Sequence, residues 1–387
     1  MTFWIVGFDG EGPLVITGVD LAWLIIDDLK AQGKINEEQY QLVKKFDTDY
    51  DDARWAYERE QQGWCTGSIP PLAIQMAVAY GVTKEDLLTL IRQKFLLNTG
   101  VEQIIGTVRA QGIEPLIISN AWPGLPLQAA KTLGIPSCNV YTSGIQLGSD
   151  QIRNLEKQGL MWSDREIEAR SELGLLQPHD EVKTFLEKYL PNTSALADAY
   201  IAKDAQKIET LLEQQEDIFA SVKPVALQDT LRAMIQKQDM VMAAHNKARV
   251  LVKRAKEARI PLSHVIYTGD SKVDTDPIAV VNKARGWGIA VNCTNKEALQ
   301  ACSINIVVQH FELAASVYWA ILDTDGRIAV EKLKEDFSSD ELQIFTPADI
   351  IRDLDKVRKA NRAVKEQLRA FYEKTLKTRA AISEATI

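Results

Sequence analysis

Six short apolar runs, rich in β-branched and aromatic residues, recur at residues 2–8, 114–119, 138–142, 264–268, 288–292 and 304–308. Each is stopped by turn-forming residues, which predicts a buried strand. Helical patterns lie between them, at 101–111, 125–133, 248–258 and 277–285. Strands alternating with helices predict an α/β fold, a Rossmann-like parallel sheet covered on both faces. Two long, mostly helical stretches interrupt the alternation, at residues 19–99 and 147–240. They read as two inserted helical modules, a cap and a second insert. The sheet domain is then assembled from residues 1–18, 100–146 and 241–330, with a helical extension over 331–387.

Within that extension the apolar positions step by four and three: Ile350, Leu354, Val357, Val364, Leu368 and Phe371. The pattern predicts a long C-terminal helix, and Asn361 falls in register between Val357 and Val364. Two readings follow. The helix forms a short coiled coil, a homodimer contact in which Asn361 fixes register. Alternatively it packs along its own domain with Asn361 facing outward.

Composition narrows the class. The chain has 387 residues, is 46% hydrophobic and 25% charged, and carries a net charge of -8. One to three domains with a large core are expected. An acidic balance disfavours a general nucleic-acid or anionic-membrane binder. No run has the length of a membrane span. The first apolar run lacks a basic leader, so no secretory signal is expected and a cytoplasmic location is. The four cysteines Cys65, Cys138, Cys293 and Cys302 form no C-x-x-C pair, and no histidine stands at ligand spacing from them. They read as thiols in a reducing compartment rather than as a zinc site. His179, His245, His264 and His310 show no pairing.

The ends of three strand-like runs carry the candidate chemistry. The first ends in Asp9-Gly10-Glu11-Gly12-Pro13, the second in Ser119-Asn120, and a third in Gly269-Asp270-Ser271-Lys272-Val273-Asp274. Sites in open parallel sheets form outside the carboxyl ends of strands. If these strands are neighbours, Asp9, Ser119 and Asp270 converge. A carboxylate such as Asp9 can attack phosphorus and form an acyl phosphate, splitting one hard hydrolysis into two easier steps. Two anions repel, so the attack needs a cation, and Mg²⁺ held by Asp9 and Asp270 supplies it. Asp274 and Asp276 can ligate through water or orient the other ligands. Ser119 and Asn120, opening a helix, offer a neutral phosphate cradle. Lys247, 23 residues before Asp270, can neutralise both phosphate and nucleophile. Trp122 and Pro123 stand close enough to Ser119 to wall the pocket. Arg54, Trp55, Arg59 and Trp64 are cap residues with cations and aromatic faces.

This four-part set resembles the haloacid dehalogenase (HAD) superfamily. Asp9-Gly10-Glu11 matches its first motif, Ser119 its second, Lys247 its third, and Gly269-Asp270-Ser271-x-x-Asp274 its fourth, with a large insert at the usual cap position. The resemblance implies a central first strand flanked by those of the second and fourth motifs. It implies Asp9 as nucleophile, Mg²⁺ held by Asp9, the Glu11 backbone carbonyl and Asp270, and Asp274 in support. It also implies Ser119 and Lys247 on the transferred phosphoryl group. Within the superfamily, Asp9–Pro13 and residues 265–299 are similar to the archaeal energy-converting hydrogenase subunit R group. One residue departs: phosphatases of the family usually carry Asp two positions after the nucleophile, as general acid and base, and here it is Glu11.

The expected function is a Mg²⁺-dependent phosphohydrolase acting on a small phosphorylated metabolite. The alternatives are a catalytically weak subunit or binding module of a complex, suggested by Glu11 and the large inserts, and a phosphotransferase of the mutase kind.

Overall fold

The computed structural model describes residues 3–16, 20–58, 67–143, 180–232 and 241–385. Its centre is a seven-stranded sheet in the order β3-β2-β1-β4-β5-β6-β7. The strands are β1 (Ile5–Phe8), β2 (Leu116–Ser119), β3 (Val140–Thr142), β4 (Val265–Gly269), β5 (Trp287–Val291), β6 (Ile304–Val308) and β7 (Leu342–Phe345). All neighbours pair in parallel except β6 and β7, which are antiparallel. Every residue of β1, β2, β4, β5 and β6 is buried. That explains why these strands read as unbroken apolar runs: a sheet covered on both faces has no polar side. Val6 and Phe8 face one core cluster, and Ile5, Ile118, Val265 and Tyr267 face the other.

The six expected strands are all present. The seventh, β7, lies in the extension expected to be helical. Its pattern is different: Leu342 and Ile344 are buried and Gln343 is exposed. This is the period-two signature of an edge strand covered on one side, and four residues of it are easily lost beside a helical pattern.

The first insert holds α1 (Leu21–Ala31), α2 (Glu37–Lys45), a π-helical turn (Phe46–Tyr50), α3 (Asp51–Glu58), α4 (Ile69–Ala79) and α5 (Lys84–Lys94). Returning to the sheet, α6 (Val101–Ala110) precedes β2 and α7 (Gly124–Leu133) follows it. The second insert contributes α8 (Asp180–Ala202), α9 (Ala205–Ala220) and α10 (Val225–Leu231). The two inserts share a core. Phe46 meets Tyr189 at 6.4 Å between ring centroids, and Tyr50 meets Tyr200 at 6.2 Å. These ring contacts join the two inserts into one helical body.

The remaining helices are α11 (Ala244–Ala258), α12 (Thr275–Lys283), α13 (Lys296–Ala301), α14 (Ala315–Asp323), α15 (Val330–Phe337), α16 (Pro347–Arg352) and α17 (Leu354–Ala385). The last is the predicted C-terminal helix, and it packs on its own sheet. Val357 and Asn361 are buried. Contrary to the outward-facing expectation, Asn361 points inward. Its amide donates to Asn305 Oδ1 on β6 at 2.8 Å, and Asn305 Nδ2 donates back to Asn361 Oδ1 at 3.3 Å. An amide pair closed on itself satisfies polar atoms that burial would otherwise penalise. Asn361 thus fixes helix register, but within one chain. Among the described residues, no helix is long and apolar enough to cross a membrane.

The π-helical turn places one carboxyl of the cap, Asp47, in a desolvated position beside the acidic residues Asp51, Asp20 and Asp52. Asp47 accepts a hydrogen bond from Trp23 Nε1 at 2.8 Å, and burial pushes its pKa up to about 7. The folded state therefore keeps a proton that the unfolded chain releases near pH ~4. Stability from this group is full at low pH and is lost as pH rises towards 7. Asp47→Asn removes that dependence while keeping an acceptor for Trp23. Its unfolding free energy should rise relative to the parent between pH 5 and 8 by on the order of 1–2 kcal/mol, discounted for partial solvation. Denaturant melts at the two pH values measure it; a constant difference would contradict it.

Candidate active site

Because β1 lies between β2 and β4, the carboxyl ends that carry Asp9, Ser119 and Asp270 are adjacent. The Asp9 N–H donates to Thr268 O at 2.9 Å, which carries the pairing one residue past the strand and fixes the carboxylate at the sheet rim. Gly10 N–H donates to Asp9 Oδ1 and Lys247 Nζ donates to Asp9 Oδ2, each at 2.7 Å. Lys247 stands in the first turn of α11, is wholly buried, and also donates to Asp274 Oδ1 at 2.7 Å. Burial opposes its charge, but Asp274 and Asp9 outweigh burial and hold its pKa above the ordinary lysine value. A buried ammonium persists only when paired in this way.

The carboxylates are crowded. Oxygens of Asp9, Asp270 and Asp274 all lie within 4.8 Å of one another. Burial, and then the charge of Asp274, push the Asp9 carboxyl well above the usual range. Asp270 is raised by burial, with Lys365 opposing. Asp274 goes the other way: burial would raise it, but Lys247, Tyr267 and Ser271 hold it below the ordinary value. Its two oxygens accept from Lys247 Nζ and Tyr267 OH at 2.7 Å, from Ser271 Oγ at 2.9 Å, and from the N–H groups of Ser271 and Asp270 at 3.1 and 3.2 Å. Five donors leave Asp274 a holder of Lys247 and of the loop carrying Asp270, rather than a direct metal ligand. The donors facing the gap, Asp9 and Asp270, are hard oxygen ligands of the kind that suit Mg²⁺.

Ser119 is fully buried and accepts from Ala121 N–H at 3.2 Å. Its hydroxyl approaches the loop after Asp9 because Gly10 has no side chain: a Cβ there would lie 2.8 Å from Ser119 Oγ. Gly12 has φ +84°, and a Cβ on it would fall onto the Asp270 carboxylate. Gly12→Ala should therefore strain the backbone by about 1 kcal/mol or more and displace Asp270. The Mg²⁺ concentration giving half-maximal thermal stabilisation should rise at least about tenfold, and an unchanged Mg²⁺ response would show that Asp270 does not face the ion.

Two residues have side chains engaged away from the carboxylates. The Asn120 amide donates to Gly67 O of the cap at 2.8 Å, and its Oδ1 accepts from Ser143 Oγ at 2.8 Å. Its side chain joins cap to sheet rather than cradling an anion. Asp276 sits in the first turn of α12, outside the carboxylate cluster, where its charge is felt by His245. Trp122 is buried in the core and does not wall the cavity. Arg54 is buried and donates to Tyr50 OH at 2.5 Å, a cap-internal contact. Trp55 lies under Lys272, whose Nζ is 4.3 Å from its ring centroid and is bonded to Asp52. Arg59, Trp64, Cys65 and His179 lie outside the described residues.

Glu11 Oε1 accepts from Leu21 N–H at 2.7 Å, at the first turn of α1. The carboxylate thereby satisfies one of the donors left open at a helix start. It couples the position two residues after Asp9 to the cap.

These groups open into a cavity of about 670 Å³. Asp47, Asp51 and Asp52 line it from the cap, and Arg358, Lys365 and Arg369 line it from α17. Lys365 donates to Asp270 Oδ2 at 2.7 Å. Burial opposes its charge, but the Asp270 carboxylate outweighs it and holds the pKa up at about 12. Neither Tyr267 nor this cationic face is evident in the sequence reading. Tyr267 is hidden inside an apolar strand. Lys365 carried one signal, its place between the inward positions Val364 and Leu368.

No family model matches this chain, and no curated protein matches it. Among solved structures it is similar to the gene product AF1437 of Archaeoglobus fulgidus, at a TM-score of 0.59 and 16% identity, covering 95% of this chain and 97% of that one. A phosphoserine phosphatase solved as a phospho-aspartyl intermediate analogue aligns at a TM-score of 0.42 and 12% identity, over 84% of this chain and 99% of that one. A phosphoserine phosphatase in apo form aligns at 0.40 and 12%, over 83% and 98%. The AF1437 likeness extends over the helical inserts as well as the sheet; what it shows is a shared fold.

Proposed function

We propose that this chain is a phosphohydrolase of the HAD superfamily, dependent on Mg²⁺, acting on a small phosphorylated metabolite through a phosphoaspartyl intermediate at Asp9. One observation carries the reading: Asp9 stands at the sheet rim between the strand that ends in Ser119 and the strand that leads to Asp270, with buried Lys247 at 2.7 Å. Asp9 attacks phosphorus, the ester P–O bond breaks, and the leaving alkoxide takes a proton from Glu11. Water then attacks the acyl phosphate, and Glu11 accepts the proton. Lys247 and the Ser119 hydroxyl bind the transferred phosphoryl group, with the backbone N–H groups after Ser119, Asn120 included. Asp9, the Glu11 carbonyl and Asp270 would hold Mg²⁺, with Asp274 in support; when bound it offsets the charge between nucleophile and phosphate. The helical body over the rim excludes bulk water.

Within the superfamily we place the chain nearest the energy-converting hydrogenase subunit R group, on its motif residues. A cytoplasmic location fits the thiol content. A homodimer through α17 would use the outer face of that helix, since Asn361 is engaged inside the chain. Phosphate release from a panel of phosphomonoesters should occur with Mg²⁺ and fall at least about 100-fold with excess chelator. Turnover indifferent to the chelator would remove the proposal.

A second reading has its own support. Glu11 is bound to the α1 N–H, and one extra methylene in a catalytic carboxyl shifts its reach by about 1 Å, which can cost about 100-fold in rate. Under this reading the chain is a weak catalyst that serves as a binding subunit, and Asp9→Asn leaves partner binding intact.

A further inference from the structure

We infer that the C-terminal helix reads a second anionic group on the alcohol portion of the substrate, with Arg358 and Arg369 as the recognising residues. This deepens the phosphohydrolase reading and rests on it.

Arg358, Lys365 and Arg369 are separated by seven and four residues. At about 100° per residue they fall within about 40° of one another on α17. All three line the cavity that contains Asp9. The helix that carries them is held at several points. Asn361 is bonded to β6, Tyr372 OH donates to Lys94 O at 2.9 Å, and Arg379 Nη1 donates to Phe95 O at 3.1 Å. The last two tie α17 to the segment where the cap returns to the sheet. The cationic face is therefore a fixed wall.

Asp20 stands on the same wall within the field of Asp270 and Lys365, and most of the other charges there are engaged. Asp52 pairs with Lys272, Asp51 accepts from Gly67 N–H at 2.6 Å, Asp47 accepts from Trp23, and Lys365 is committed to Asp270. Arg358 differs. Its Nε donates to Thr294 O at 3.0 Å, and no ion pair to a carboxylate is seen for its guanidinium among the described residues. Arg369 is paired only with Glu373, at 3.2 Å on the surface, where such pairs are weak and readily exchanged. A guanidinium held at one corner and facing a cavity suits a planar oxyanion, which it binds through two parallel N–H donors. The phosphoryl group is already served by Ser119 and Lys247 at the sheet rim. The arginines are therefore left for a carboxylate or second phosphate on the leaving portion, directed towards α17 and away from the cap acids.

The test uses full-length Asp9→Asn protein with Mg²⁺, so that ligands bind without turnover. Isothermal titration compares glycerol 3-phosphate with 3-phosphoglycerate, which adds a carboxylate, and with 2,3-bisphosphoglycerate, which adds a phosphate as well. At least one acid-bearing ligand should bind about tenfold or more tightly than glycerol 3-phosphate, and the better of the two identifies the second group. Adding Arg358→Ala and Arg369→Ala should bring that ratio close to one. Arg358→Lys, which keeps the charge but loses the fork, should retain part of it. Thermal melts verify that each variant is folded. Equal binding of all three ligands, or a ratio untouched by the double substitution, overturns the inference and leaves the phosphohydrolase reading standing. No binding of any of the three overturns both.

Discussion

Asp9→Asn should abolish phosphate release, lowering kcat by at least about 10⁴-fold, while the protein remains folded. The carboxamide is isosteric and still accepts from Gly10 N–H or Lys247, so local geometry survives. What disappears is the nucleophile, and residues of a catalytic unit are not replaced by the others once the covalent step is lost. Reduced crowding between Asp9, Asp270 and Asp274 should leave the thermal midpoint equal or higher. Steady-state phosphate release and a thermal melt on the same preparation measure both quantities. Retention of more than about a hundredth of the activity would assign the chemistry to another group.

Lys247→Met should be more damaging, because it removes activity and stability together. The side chain is fully buried, and methionine approximates its length without its charge. Asp9 and Asp274 would each lose a 2.7 Å donor in a dry environment. Breaking a buried ion pair by removing one partner costs about 3–5 kcal/mol, since the other charge is left uncompensated. Here one lysine serves two carboxylates, so the upper end of that range is expected. Mg²⁺ should restore part of the loss, because it supplies positive charge at the same carboxylates. Denaturant unfolding with and without Mg²⁺ measures this. A loss below about 1 kcal/mol would mean that Lys247 is not the structural counter-ion of the site.

Much of this architecture was readable from the chain. The strand-ending residues Asp9, Ser119 and Asp270 were identifiable because parallel strands buried on both faces announce themselves as apolar runs, and polar residues at their ends then stand out. Lys247, at the start of a helix feeding β4, stood out only as the third member of the four-motif set, since a lone lysine is usually a solvated surface residue. Residues whose partners come from distant segments were less accessible. The side-chain role of Asn120 was hidden because the local sequence contains no sign of Gly67, 53 positions earlier, which takes its amide. Asn361 looked like a dimer determinant or a surface residue because a four-three pattern states which face is buried, not what buries it. Asn305, 56 positions away, decided the matter. Arg358 was invisible as a site residue for the same reason, and Lys365 showed only its place beside inward positions: ordinary cations on a helix acquire a role only from the sheet beneath it. Glu11 was recognised as a departure, but its bond to Leu21 depends on where the cap begins.

The proposed activity turns on one chemical event, transfer of a phosphoryl group to Asp9. Its most direct test is acid quenching of wild-type protein during turnover of a phosphomonoester with Mg²⁺, followed by proteolysis and mass spectrometry. The predicted result is one added phosphoryl group on the peptide containing Asp9, labile to hydroxylamine and missing without Mg²⁺. Phosphate released with that peptide always unmodified under rapid quench, or the label found on another residue, would contradict it.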